Sequence, residues 1–304
     1  MNDMKRMNKY VYTIIIPHYN IPKLLKRCLL SLPKRDDLQI VVVDDKSSDE
    51  NIAFLRGLEN EFDYVHFVYS DINGGGGRAR NIGLSFAEGK YLFFADADDF
   101  FNYCIGEVLD EYRETDYDVV FFNASHIDTN TYLPTTRITT LQIALNLYDK
   151  TGDMSFLKYL FGEPWCKLVR KEIVDKNNIS FEEIIVHNDT KFSYMVGFYA
   201  QKVKFDNRAV YCLADRSGSV SKRLSDEKLL IRTRVFAEKN RFLADHNIPI
   251  FDGLMISPFI IYMDRRDMKQ MKKCFKIAED FSFSKKTILK KILIHKLREL
   301  FGRI

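Results

Sequence analysis

Residues 91–100 read YLFFADADDF: five apolar or aromatic residues, Tyr91 to Ala95, run straight into carboxylates at Asp96, Asp98 and Asp99. The apolar run is long enough for a buried strand and too short and too rich in β-formers for a helix. Its charged end then lies where a strand leaves the sheet, the edge at which open α/β sheets bind ligands. Asp96 and Asp98 are two apart, so both face one ligand only if the chain bends there into a loop. Carboxylates this close repel one another unless a cation sits among them, and hard divalent ions take oxygen ligands of this kind. The alternative is a solvated acidic turn, and the rest of the chain has to decide.

Upstream, the same strand-then-polar pattern occurs three times. VYTIII (11–16) is β-branched and aromatic and reads as a first buried strand, stopped by Pro17-His18-Tyr19-Asn20. A helix fits 22–32, with Pro22 in its first turn and Leu24, Leu25, Cys28, Leu29 and Leu32 on one face. Gln39 to Val43 reads as a second strand, followed by Asp44-Asp45 and by Ser47 or Ser48 as cap of a helix at about 49–60. Tyr64 to Tyr69 reads as a third strand, ahead of four glycines and a helix at about 78–88. Such alternation predicts a parallel sheet with right-handed crossovers. It sends the polar clusters after Ile16, Val43, Tyr69 and Phe94 to one edge, which makes that edge a site.

Downstream, the pattern predicts a helix at about 103–113 and a strand at 117–122. Irregular or antiparallel structure is expected from Asn123 to about Lys150, then a helix at 189–200, a strand near 203–212, and only helices after Ser225. The division expected is an α/β domain carrying that edge over 1–220 and a helical region over 221–304.

The chain has 304 residues, 46% hydrophobic and 29% charged, which describes a globular protein. Its net charge of +4 is unevenly placed. Lys285, Lys286, Lys290, Lys291, Lys296, Arg298 and Arg303 face a single acid, Glu299, so the tail is strongly basic and the remainder mildly acidic. The five cysteines are scattered with no CxxC pair, against a disulfide framework or zinc site and for a reducing, cytosolic setting. No signal peptide and no membrane-spanning run is read in the sequence.

Two motifs have more than one reading. Gly74–Gly77 can cradle an anion with free N–H groups, yet lacks phosphate-loop spacing and also suits a flexible loop before a helix. Asp44-Asp45 suits a ribose- or base-binding acid and equally a helix cap. Arg78, Arg80 and Asn81 follow the glycines, and an arginine there can bind a phosphate or pair with an acid.

The order of IIIPHYN, VVVDDKSSD, GGRARNIGLSFAEGKYLFFADADD, EPWCKLVRKEIV and HNDTKFS resembles the family-two glycosyltransferases, inverting enzymes of the GT-A fold that use nucleotide sugars. The resemblance runs from about Thr13 to Ser219. It implies a Rossmann-like, mainly parallel sheet flanked by helices, with a helical C-terminal extension. Pro17, Tyr19 and Asn20 match the loop bordering the nucleotide. Asp45, with Asp44 beside it, matches the acid that reads the base, usually uracil, which points to a UDP-sugar. Arg80 and Asn81 match an Ala-Arg-Asn element. Asp96-Ala97-Asp98 matches the DxD motif that holds Mn2+ or Mg2+ on the diphosphate, with Asp99 next to it. Asp189 matches the second acid of a Glu-Asp pair, the general base, and Arg216-Ser217-Gly218-Ser219 resembles a late loop.

The chemistry fits that set. A metal held by Asp98, with Asp96 or Asp99, stabilises charge on the departing nucleoside diphosphate. A carboxylate must also take the acceptor's proton as the new bond forms. Asp189 suits this role and would equally suit a helix N-terminus. Asn188 departs from the family's usual Glu, and the four-glycine run is longer and more basic than usual. Trp165, the only tryptophan, is either core or an acceptor-sugar platform. His187 is the histidine expected to touch substrate.

The tail, KKTILKKILIHKLRELFGRI, is a basic amphipathic helix that suits an anionic membrane surface, packing on the body, or a homodimer. Nucleic acid is not an expected partner, because the basic residues are confined to the tail. The expected activity is sugar transfer to a glycan or lipid-linked acceptor in surface polysaccharide synthesis, in the cytoplasm or at the inner face of the plasma membrane. The rivals are a sugar-nucleotide pyrophosphorylase and a non-catalytic nucleotide- or glycan-binding relative.

Overall fold

The strands β1 (Tyr12–His18), β2 (Leu38–Asp44), β3 (Val65–Tyr69) and β4 (Tyr91–Phe94) alternate with helices α1 (Pro22–Leu30), α2 (Asp49–Glu61) and α3 (Gly75–Phe86). This is a computed structural model that describes residues 9–136, 138–216, 225–251 and 253–300. Within them the chain forms two compact units, residues 9–184 with 188–216, and residues 185–187 with 225–300. In the first unit β1, β2, β3 and β4 pair in parallel, in the order β3-β2-β1-β4. Every residue of β2 is buried, as expected of a strand covered on both faces. Val41 and Val43 pack with Ala79 of α3, while Ile40 and Val42 join the main core with Leu25, Leu29 and Leu55. The parallel register places His18 opposite Asp44, so the polar residues after β1 and β2 emerge side by side.

Beyond β4 come β5 (Phe100–Phe101), α4 (Ile105–Tyr112), β6 (Val119–Asp128), α5 (Thr140–Thr151), a π-helical turn at Phe156–Leu160, and β7 (Lys167–Arg170). The first unit ends with α6 (Lys171–Lys176), α7 (Thr190–Tyr199) and β8 (Val203–Asp215). The sheet has eight strands in the order β3-β2-β1-β4-β7-β6-β8-β5, with β7 antiparallel to both β4 and β6 and β5 antiparallel to β8. The expectation of irregular or antiparallel structure from Asn123 to about Lys150 is corrected by β6, which runs on to Asp128 in parallel with β8, and by α5. That helix is specified at its ends rather than by periodicity. Thr139 and Gln142 form a capping box, and Gly152 closes it in the left-handed conformation at φ 69°. The strands β5 and β7 are too short to show a period in sequence and exist because β8 and β4 offer edges to pair with.

The second unit is helical: α8 (Asp226–Asp245), α9 (Gly253–Asp264), α10 (Met268–Asp280) and α11 (Lys285–Leu300). Its core joins Leu229, Phe236, Met255, Phe259, Tyr262, Phe275, Ile288 and Ile292. All five cysteines are buried and unpaired. Among the described residues no helix is long and apolar enough to cross a membrane.

Candidate active site

At the ends of β1 and β2 the polar residues bind one another. His18 Nε2 accepts the Ile21 N–H at 3.1 Å, so its Nδ1 carries the proton and donates to Asp44 Oδ1 at 2.8 Å. Ser47 N and Oγ also donate to Asp44, at 2.8 and 2.5 Å. Burial alone would raise the Asp44 pKa, but the hydrogen bonds from His18 and Ser47 outweigh it and hold the carboxyl below its ordinary value. Asp44, expected beside the nucleotide, is held here as a buried anchor between the two loops. Asn20, in the left-handed conformation at φ 55°, donates its N–H to Ser47 Oγ and accepts from Ser48 N and Asn51 Nδ2. Pro17 lies within β1 opposite Val43, and Tyr19 is exposed.

Asp45 accepts Gly74 N at 2.8 Å and Gly75 N at 2.7 Å, one on each oxygen. These N–H groups, candidates for an anion cradle in sequence, are thus turned onto a carboxylate of the chain itself. The glycines let the backbone come this close: Gly75 sits at φ 81°. A Cβ on Gly77 would lie 2.1 Å from the Glu182 carbonyl oxygen.

At the end of β4 the chain turns, with Asp99 N–H donating to Asp96 O at 3.0 Å. This is the bend that a shared ligand at Asp96 and Asp98 demands. Asp96 Oδ1 pairs with Arg80 Nη2 at 2.6 Å, and Asp98 Oδ2 with Arg216 Nε at 2.8 Å. Burial and the Asp96 charge raise the Asp98 pKa, and Arg216 opposes them. Asp99 belongs elsewhere. Its oxygens accept Ala214 N–H at 2.8 Å and Tyr211 O–H at 3.0 Å, and the same Tyr211 oxygen accepts Asp96 N–H at 2.8 Å. Burial, then the charges of Asp98 and Asp96, push its pKa well above the ordinary carboxylate value. Asp99, expected in the metal set, is placed as a strut under the turn, both its oxygens taken by partners in the fold.

The two remaining carboxylates suit a divalent ion of the Mg2+ or Mn2+ kind, which takes one or two protein carboxylates and completes its shell with phosphate oxygens and water. Among the described residues no three His, Cys, Asp or Glu side chains converge to hold an ion on their own.

Arg80 carries the site across to α7. Its Nη1 donates to Asn188 Oδ1 at 3.1 Å, its Nε is buried without a partner, and its guanidinium lies over the Phe181 ring at 5.5 Å. Asn81 supports the same loop, exchanging hydrogen bonds with the Phe181 backbone at 2.8 and 3.0 Å. Asp189 occupies the N-cap position of α7 without making a capping hydrogen bond. Removal from water raises its pKa to about 7; Arg80 opposes the rise, and Glu163 and Asp96 add to it. A half-ionised carboxyl near neutral pH is poised to take a proton.

Two residues expected at the acceptor, Trp165 and His187, are each packed against neighbours within their own unit. Trp165 is 4% exposed, stacked on Tyr211 at 5.8 Å and 10° and tilted against Phe161. It is packed as core, one of the two roles weighed for it. His187 belongs to the helical unit, where its Nε2 accepts from Arg232 Nε at 3.0 Å and its ring meets the edge of Phe236. Burial, then Arg232, lower its pKa to about 4. Of the late loop only Arg216 can be placed; residues 217–219 lie outside the described residues.

Sequence reasoning missed Tyr211 and Arg27. Arg27 donates from α1 to the Asp98 carbonyl at 2.5 Å and to Thr129 Oγ1 at 3.0 Å, with its guanidinium over the Phe100 ring. Neither residue had a signal: one is an aromatic in a strand, the other a basic residue on an amphipathic helix.

The model of glycosyl transferase family 2 matches residues 13–177. Glycosyltransferase GlyG of Streptococcus pneumoniae serotype 4 is 29% identical over 68% of this chain and 72% of its own length. The cholesterol galactosyltransferase of Borreliella burgdorferi is 25% identical over 95% of this chain and 92% of its own. Among solved structures, S. aureus TarS 1-349 in complex with UDP-GlcNAc superposes with a TM-score of 0.63 at 21% identity, covering 89% of this chain and 80% of that one. At that identity the likeness speaks to the fold.

Proposed function

The chain belongs to glycosyl transferase family 2, a match over more than half its length, and from that premise we propose that it moves a sugar from a UDP-sugar to a hydroxyl of a glycan or lipid-linked acceptor, with inversion and with a divalent metal. One observation carries the reading. Arg80 joins the Asp96 carboxylate to the Asn188 amide, so the acidic turn after β4 and the poised acid of α7, remote in sequence, belong to one site. UDP as the nucleotide is supported by the fold shared with TarS, whose structure holds UDP-GlcNAc. A lipid-borne acceptor is supported by the relative named for cholesterol. Surface polysaccharide synthesis at the inner face of the membrane is the setting these suggest.

Asp96 and Asp98 would hold the metal, which supplies Lewis acidity at the departing diphosphate. Tyr211, Asp99 and Arg27 fix the turn on which those carboxylates stand. Asp189 takes the proton of the acceptor hydroxyl as that oxygen attacks the anomeric carbon from the face opposite the leaving group, which inverts the configuration. The sugar–phosphate bond breaks and its electron pair leaves with the diphosphate.

The test is a screen of nucleotide sugars with and without Mn2+, read by thermal shift and by slow donor hydrolysis. A metal-dependent shift and hydrolysis are expected with a UDP-sugar, both lost in Asp98→Ala. Hydrolysis retained in Asp98→Ala, or neither response with any donor, overturns the reading.

A further inference from the structure

Helix α11 turns only part of its apolar surface into the helical unit. Ile288 and Ile292 are buried there, whereas Leu289, Leu293, Ile294 and Leu297 are exposed, Leu293 to 59%. Leu289, Leu293 and Leu297 recur every four residues and form one stripe along the helix. Lys286 and Lys290 are exposed on the same side, and from Lys285 to Leu297 the helix has no acidic residue. Lys296 lies 3.4 Å from Asp264 at the end of α9. That contact sets the stripe beside the α9–α10 turn, where Met263 and Met268 are also exposed. The next helix, α10, adds exposed Lys269, Lys272, Lys273 and Lys276. Of its acids, Asp267 is used as its N-cap and Glu279 and Asp280 lie at its far end.

Leucines in water next to lysines call for a partner that is both apolar and anionic. A second copy of the chain on this face would set lysine against lysine across a two-fold axis. A nucleic acid would meet a leucine stripe where phosphates want cations. A membrane with anionic headgroups suits both features: leucines enter the acyl boundary, while lysine stems lie along it with their ammonium groups among the phosphates.

We propose that the exposed side of α11, with the α9–α10 turn, docks this protein on an anionic lipid surface. Its use, to bring the enzyme to a lipid-linked acceptor, rests on the transfer reading above, but the docking can be measured without turnover. The full chain is sedimented with phosphatidylcholine vesicles, with and without phosphatidylglycerol. Partition onto the anionic vesicles alone, weakened by salt, is expected. Lys286→Gln with Lys290→Gln should weaken it about thirtyfold, the factor expected of two surface lysines. Leu289→Ser with Leu293→Ser should weaken it at least about tenfold through lost apolar burial. Helicity by circular dichroism and donor hydrolysis should not change in either variant. Equal binding to neutral vesicles, or no vesicle binding, overturns the proposal. So does a concentration-dependent dimer that the leucine variant abolishes, which would give the face to a second copy. Vesicle binding without transfer from any donor leaves the docking standing and removes the acceptor reading.

Discussion

Replacing Asp189 by Asn tests the base by two measurements that a merely structural acid would not move together. The carboxyl's pKa stands near 7 against an ordinary 3.8 because burial disfavours its charge. That difference, at about 1.4 kcal/mol per unit, amounts to about 4 kcal/mol as an upper bound. The sign follows from the raised value. The folded state holds this proton more tightly than the unfolded one, so the stability it contributes is full below the ordinary pKa and is lost as pH rises towards 7. Urea melts of the two proteins should therefore differ little near pH 4 and diverge with pH, the Asn variant gaining up to about 4 kcal/mol above pH 7. The rate should go the other way. In the wild type, kcat/KM should rise about tenfold per pH unit and level off near 7, and the variant should lose about 10²- to 10⁴-fold at the plateau. A wild-type rate already level at pH 5, or a stability difference independent of pH, refutes the assignment.

Three further substitutions probe the surroundings. Asn188→Asp puts a second carboxylate on Arg80 beside Asp189, so the acidic limb of the pH–rate profile should move above 7; an unmoved limb would mean that Arg80 does not act on Asp189. Gly77→Ala drives a methyl against the Glu182 carbonyl, backbone that cannot swing aside. It should cost about 1–3 kcal/mol in denaturant melts and lower kcat, because residues 182–188 lead into Asp189. Tyr211→Phe strips one oxygen from two buried partners, Asp99 and the Asp96 N–H, and should cost about 1–3 kcal/mol with weaker activation by Mn2+ in titration.

The parallel half of the sheet was legible because each strand is a run of apolar β-formers cut off by polar residues, and topology then sends those ends to one edge. The helix α5 was not, since its specification lies in Thr139, Gln142 and Gly152 rather than in a repeating apolar face. Within the site, residue type alone marked the acids but not which way each carboxyl turns. Asp98 and Asp99 are neighbours in sequence, yet one meets a guanidinium and the other a buried tyrosine. Trp165 is likewise ambiguous in sequence, because an aromatic face that covers a sugar also stacks well on Tyr211.

The partners of these aspartates divide the work among them. Asp44, Asp45 and Asp99 accept from backbone N–H groups and hydroxyls or from His18, partners held by the fold, and they fix loops. Asp96 and Asp98 instead meet guanidinium groups, which offset carboxylate charge. Asp189 makes no cap and feels Arg80 as a charge, while that arginine's own hydrogen bonds go to Asp96 and Asn188. One guanidinium thus binds Asp96 by contact and restrains the pKa of Asp189 from a distance. An uncharged Asn188 suits that double duty. A Glu in its place would take up more of Arg80's charge and push the Asp189 proton affinity higher, the effect that Asn188→Asp is expected to show in the pH–rate profile.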